Sequence, residues 1–152
     1  MAYRIAIASD HAAIEMKAAL VEHMRVLGHE VVDLGPETGE SVDYPDYGYK
    51  LADAIASGDV DKGVALCGSG IGISIAINRH PAARAALVSE PLSARLAREH
   101  NDANVIAMGA RIIGTEMAKD CLNAFLATNF GGDRHNRRVE KLSNPSFAKE
   151  PA

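Results

Sequence analysis

Short apolar runs recur along this chain, separated by longer stretches in which apolar residues fall at helical spacing. "YRIAIAS" (3–9), "EVVDLG" (30–35), "KGVALC" (62–67), "ARAALVS" (83–89) and "NVIAMG" (104–109) have the length and content of buried strands. "AAIEMKAALVEHMRVLG" (12–28) predicts an amphipathic helix with Ile14, Ala18, Val21 and Met24 or Arg25 on one face and Gly28 as its stop. The loop "PETGESVDYPD" (36–46) follows the second strand, and its glutamates, threonine and serine are compatible with a lid. Pro45 then opens a helix through Ser57, with Gly58 as its stop. Further helices are expected from the glycine-rich loop after Cys67 to about Arg79, over 91–101 and from Thr115 to about Asn129. Alternating strands and helices predict an α/β, three-layer Rossmann-like (flavodoxin-like) fold with a five-stranded parallel sheet. The whole of 1–152 reads as one domain. Its last part, 130–152, is a C-terminal extension that turns at two glycines, continues as a basic helical segment and is expected to pack at a subunit interface.

Composition narrows the function classes. Sixteen basic against twenty acidic residues give a net charge of −4, which offers no footprint for nucleic acid or a membrane surface. Aromatic residues are 5% of the chain and tryptophan is absent, so a base-stacking platform is excluded as well. Cys67 and Cys121 form no CxxC pair, the start lacks a basic, cleavable apolar leader, and no apolar run reaches membrane-spanning length. The expected home is a reducing cytoplasm. The histidines show no metal-ligand spacing, so neither a metal nor another cofactor is expected.

In open α/β sheets ligands bind beyond the carboxyl ends of the strands. Those ends are Ser9-Asp10-His11, the loop reaching Tyr44, Cys67 to Gly72, Ser89-Glu90 and Gly109 to Arg111. "CGSGIGIS" carries glycines 68, 70 and 72, with Ile73 where a dinucleotide fingerprint needs its third glycine and no GK[ST] for a P-loop. Successive amides at a helix start make an anion-binding nest; a tight strand-to-helix turn is the plainer alternative. Cys67 beside such a nest would have its thiolate favoured, although buried cysteines are more often structural, as Cys121 reads. Asp10 could be an N-cap only, and His100 only a charge complement at a helix end. His100 and Asn101 precede the fifth strand, which sets them near the opposite edge of the sheet from Cys67. If they serve one site, they arrive from another subunit. Arg134 and Arg138 share a helix face, as surface charge or as a fork for phosphate.

Together "IASDHAAIEMK", "DYPDYG", "CGSGIGISIAIN", "REHNDANVIAMGARIIG" and "GGDRHNRRV" resemble, in order and over nearly the whole chain, the ribose-5-phosphate isomerase type B and galactose-6-phosphate isomerase family. The resemblance implies a metal-free aldose–ketose isomerase working through a cis-enediolate. It makes Cys67 the proton-transfer base and the amides of Gly68, Gly70 and Gly72, with Ser69, the anion hole. His100 would open the sugar ring with Asp10 assisting, and Asn101 would bind the same end. Arg134 and Arg138 would clamp the phosphate, His11 and Arg111 would add contacts, and Tyr44 would line the pocket. Some members carry a glutamate in place of the cysteine, six positions further on; Ile73 stands there, so this chain is of the cysteine type. Position 69 is commonly threonine, and Ser69 keeps the hydroxyl.

The resemblance implies interconversion of ribose 5-phosphate and ribulose 5-phosphate by a homodimer or tetramer whose active site is shared between subunits. A six-carbon substrate such as allose 6-phosphate or galactose 6-phosphate is the alternative within the class. Outside it stand a non-catalytic phosphate- or nucleotide-binding module, which the fold alone would allow, and a cysteine hydrolase.

Overall fold

A computed structural model describes residues 1–149. Five strands, β1 (Arg4–Ser9), β2 (Glu30–Asp33), β3 (Lys62–Cys67), β4 (Ala85–Leu87) and β5 (Val105–Gly109), form one parallel sheet in the order β2-β1-β3-β5-β4. The crossover helices are α1 (Ile14–Val26), α2 (Tyr44–Ala56), α3 (Ile71–Asn78) and α4 (Pro91–Asn101); α5 (Thr115–Ala127) follows β5 and α6 (Arg134–Ser143) follows α5. Strand order reverses between β1 and β3, because β1 leads outward to β2 whereas β3 leads the other way. That switch point is where such a sheet opens a crevice at its carboxyl edge.

Side chains alternate across the sheet, and the two faces differ in bulk. Ile5, Ile7, Val64, Leu66, Ile106 and Met108 pack with α1, α4 and α5, while Ala6, Ala8, Ala65, Cys67, Val105 and Ala107 face α2 and α3. The thin second face brings α2 and α3 close: a Cβ on Gly63 would stand 3.0 Å from Leu51, and one on Gly48 3.1 Å from the Ala76 Cβ. Cys67 therefore points to the α2/α3 side at the crevice.

The helix after β1 is less regular than its spacing implies. It begins as a 3₁₀ turn (His11–Ala13), and α1 buries Met16, Lys17, Leu20, Val21 and Met24. Of the face expected from spacing, Val21 and Met24 are buried, Ile14 is half-buried and Ala18 is exposed. A buried lysine at position 17 disguised the stripe. The fourth strand is only Ala85–Leu87, shorter than the run 83–89, because Ala83 and Arg84 are held by a turn and by the Asn104 side chain. Its outer backbone is blocked by Asn78, whose amide donates to the Ala85 carbonyl at 2.9 Å and accepts from the Ala85 N–H at 2.8 Å. A side chain thus occupies part of the edge where another strand could pair. The basic tail forms α6 as expected, with no buried residue. Residues 150–152 of the expected extension lie outside the described residues. No described helix is long and apolar enough to cross a membrane.

Lys17 ties the end of β2 to α1. Its Nζ, on a residue 4% exposed, donates to both oxygens of Asp33 at 2.7 and 2.9 Å and to the Pro36 carbonyl at 2.9 Å. Asp33 also accepts the Gly35 N–H at 2.9 Å, and the Gly35 carbonyl accepts from Ser9. Removing the carboxylate strands a buried ammonium. Asp33→Ala is expected to lower unfolding free energy by about 2–3 kcal/mol, somewhat under a fully buried pair because Asp33 is itself partly exposed. A urea midpoint within error of the parent would refute this account of Lys17.

Candidate active site

β3 ends at Cys67 and the chain then turns sharply into α3. Gly70 makes the turn with φ +78°, and its N–H donates to the Cys67 Sγ at 3.1 Å. The Ser69 hydroxyl accepts the Ile71 N–H at 3.2 Å. The N–H groups of Gly68, Ser69 and Gly72 have no partner among the described residues. They surround the α3 N-terminus, whose dipole adds partial positive charge. A negative group beside the thiol would meet preorganised donors here.

Neighbouring strands bring the rest of the cleft. Cys67 pairs in register with Gly109, and a Cβ on Gly109 would fall 2.5 Å from the Ser69 backbone. Asp10 continues β1 with its N–H on the Leu66 carbonyl, so alternation puts its side chain on the Cys67 side of the sheet. Asp10 is 8% exposed and accepts the Ala12 N–H at 2.9 Å, so it is an N-cap in addition to lining the cleft. Arg111 donates its backbone N–H to the Gly68 carbonyl at 2.9 Å and lays its guanidinium along Gly68; that guanidinium makes no ion pair among the described residues. Tyr44 opens α2, with its ring packed so closely on Gly72 that a Cβ there would clash with it. His11 follows Asp10 and accepts the Val42 N–H at Nδ1.

The cleft so formed measures about 620 Å³ and is lined by Asp10, Tyr44, Cys67, Gly68, Ser69, Gly72 and Arg111, with Ile71, Ile75 and Ile112 at its mouth. Sequence reasoning missed these isoleucines. Ile71 and Ile75 are four apart on α3 opposite the buried Ile73 and Ile77, so the helix is apolar all round, the one signal that could have found them. They and Ile112 are 51%, 61% and 63% exposed.

His100, Asn101, Arg134 and Arg138 do not line this cleft. They form a second group. α4 ends at Asn101 with Asp102 in the left-handed region, held by Arg98 at 2.8 Å. His100 stacks on His135 with ring centroids 4.5 Å apart, and Gly131 donates its N–H to the Glu99 carbonyl at 2.9 Å. α6 thereby sets Arg134 and Arg138 near His100. Desolvation, then the charges of His100, Arg134 and Arg138, hold His135 below the ordinary histidine range. The expected separation from Cys67 is present: β3 and β5 are parallel, Cys67 ends β3 and His100 and Asn101 precede β5, so the two groups lie at the opposite, carboxyl and amino, edges of the sheet. No group of three His, Cys, Asp or Glu among the described residues could hold a metal ion. Burial raises the Cys121 thiol to about 11, consistent with an inert core cysteine.

Fold and site together define an α/β enzyme in which a strand-end thiol adjoins an anion-receptive glycine turn at the topological switch point. The chain belongs to the Ribose/Galactose Isomerase family, whose profile matches residues 5–142, and it is an isomerase of sugar phosphates. It is 44% identical over 140 residues to ribose-5-phosphate isomerase B of Escherichia coli, covering 92% of this chain and 94% of that one. The structure of ribose-5-phosphate isomerase B from Clostridium thermocellum superposes with a TM-score of 0.94 at 42% identity, covering 97% of this chain and 99% of that one. D-erythrulose-4-phosphate isomerase of Pectobacterium atrosepticum is 42% identical over 139 residues, 91% of each chain.

The turn geometry makes a stability prediction. At Gly70 a Cβ would sit 2.7 Å from both the Met108 backbone and the Leu87 side chain, at positive φ. Gly70→Ala should cost about 2–4 kcal/mol, the sum of left-handed strain and a backbone clash. Gly28 has φ +93° but nothing within 4 Å, so Gly28→Ala should cost only about 1 kcal/mol. Equal losses in thermal or urea unfolding would contradict the clash.

Proposed function

We propose that the protein interconverts ribose 5-phosphate and ribulose 5-phosphate, with Cys67 as the base that moves a proton between C2 and C1 through a cis-enediolate. The observation that carries this reading is the Gly70 N–H on the Cys67 sulfur beside unpartnered amides. An enediolate concentrates negative charge on two oxygens, and fixed donors aimed at that charge need no reorganisation as it develops. Gly68, Ser69 and Gly72 would hold the enediolate, while Tyr44 lines the cleft. His100, assisted by Asp10, opens the sugar ring, and Asn101 binds that end. Arg134 and Arg138 clamp the phosphate with Arg111 and His11 as further contacts.

Both residue groups serve one reaction only if a second copy supplies the His100 and α6 side, so the working unit is a homodimer or a tetramer built from it. Support comes from α3, whose outer face leaves Ile71 and Ile75 in water at the rim of the cleft, where the partner would cover them. Residues 130–149, carrying the arginines, would pack at that interface.

The name of the Pectobacterium relative keeps substrate length open as a second reading, and the cleft is wide enough for sugars of more than one length. Turnover should therefore be compared on ribose 5-phosphate, erythrulose 4-phosphate, allose 6-phosphate and galactose 6-phosphate, with EDTA present. Ribose 5-phosphate is expected to give the highest kcat/KM. Cys67→Ala should lose about 10²–10⁴-fold in kcat while still binding sugar phosphate, the usual scale for removing a positioned base. Preference for another sugar would reassign the substrate; unchanged kcat in Cys67→Ala would remove the thiol from the mechanism.

A mixing experiment tests the shared site. Cys67→Ala and His100→Ala are each expected to be nearly inactive as pure proteins. Random reassortment of two-fold dimers makes half of them mixed, each with one intact site, so the mixture should recover about a quarter of parent activity. No recovery, with subunit exchange verified, would mean that each chain builds its own site.

A further inference from the structure

The loop between β2 and α2 is tied down at both ends. At its start, Lys17 and Ser9 hold Pro36 and Gly35 by the bonds described above. At its far end the tie is a different one: the Val42 N–H donates to Nδ1 of half-buried His11 at 3.1 Å, across 31 residues of sequence. Two residues later Tyr44 opens α2 with its ring against Gly72 of the glycine turn. His11 thus anchors the loop from the position directly after Asp10, a residue that lines the cleft.

An imidazole nitrogen that accepts an amide hydrogen bond carries no proton, so the proton of a neutral ring is on the other nitrogen. We infer that the Val42 backbone fixes His11 as the neutral Nε2–H tautomer, making Val42 a positioning residue and His11 a one-proton donor at Nε2. A histidinium has donors at both nitrogens and would lose the Val42 bond. The loop is consequently a strap held by the same ring that presents a donor to a bound anion, and the register of Tyr44 over the turn depends on it. Only the last step, donation from Nε2 to the substrate phosphate, rests on the proposed isomerase function.

The tautomer can be read without substrate. Long-range ¹H–¹⁵N correlation on histidine-labelled protein, above the ordinary histidine range, should show His11 with bare Nδ1 and protonated Nε2. Two substitutions separate the ring's roles. His11→Asn puts an amide oxygen near the Nδ1 position and keeps an acceptor for Val42, whereas His11→Gln keeps a donor near Nε2 and loses that acceptor. Hydrogen exchange at the Val42 amide should be slow in the parent and in His11→Asn, and at least tenfold faster in His11→Gln. In turnover, His11→Asn should raise KM for the sugar phosphate about tenfold or more, the scale of a lost hydrogen bond to a charged group. A protonated Nδ1 in the parent overturns the inference, as does Val42 exchange that is the same in all three proteins. The expected tautomer and exchange without turnover of any sugar phosphate would sustain the strap and defeat the isomerase reading instead.

Discussion

The backbone of Ser69 crosses the end of β5 where Gly109 leaves no Cβ, and nearly everything in the site depends on that passage. With a side chain at 109 the turn after Cys67 would be pushed outward and its amides would no longer gather around the sulfur. Gly70 completes the crossing under a second constraint, since it must adopt positive φ within van der Waals range of Met108. Close packing of backbone on backbone is what converts a strand end into a set of aimed donors.

That passage is prepared by the unequal faces of the sheet. Isoleucine, leucine and methionine fill the side toward α1, α4 and α5, while alanine, glycine and cysteine thin the other. α2 and α3 can then approach closely, which sets Tyr44 against Gly72 and leaves the thiol under the α3 N-terminus. The cost of the arrangement is visible on the outside of α3, where Ile71 and Ile75 remain exposed. An apolar rim around a polar cleft is a surface left open, and the second residue group stands at the far ends of the strands, away from that cleft. In the shared site proposed above, each is completed by a second copy of the chain.

The sheet, its parallel sense and most helix limits were legible because strand and helix periodicity are local properties. Pro45, Gly28 and Gly58 mark helix limits within a residue or two of where they fall in the chain. The inner face of α1 was not legible in the same way. Lys17 interrupts the apolar stripe, and its burial is intelligible only once Asp33 and the Pro36 carbonyl are seen around its ammonium. The cleft residues Asp10, Tyr44, Cys67, Ser69 and Arg111 were legible because each stands directly after a strand or at the start of a helix following one. Ile112 and the outer isoleucines of α3 were not singled out, since exposure is decided by neighbours that an apolar run does not name.

The sequence by itself determined an alternating α/β chain, the strand ends where chemistry collects, and the glycine turn beside a cysteine. All of these follow from spacing within a few residues. Tertiary structure alone decided that β5 lies inside β4, directly beside β3. It alone joined His100 to His135, Val42 to His11 and Lys17 to Asp33. These contacts link residues 16 to 35 positions apart, and no local pattern encodes them, because they depend on where whole helices and loops come to rest against the sheet.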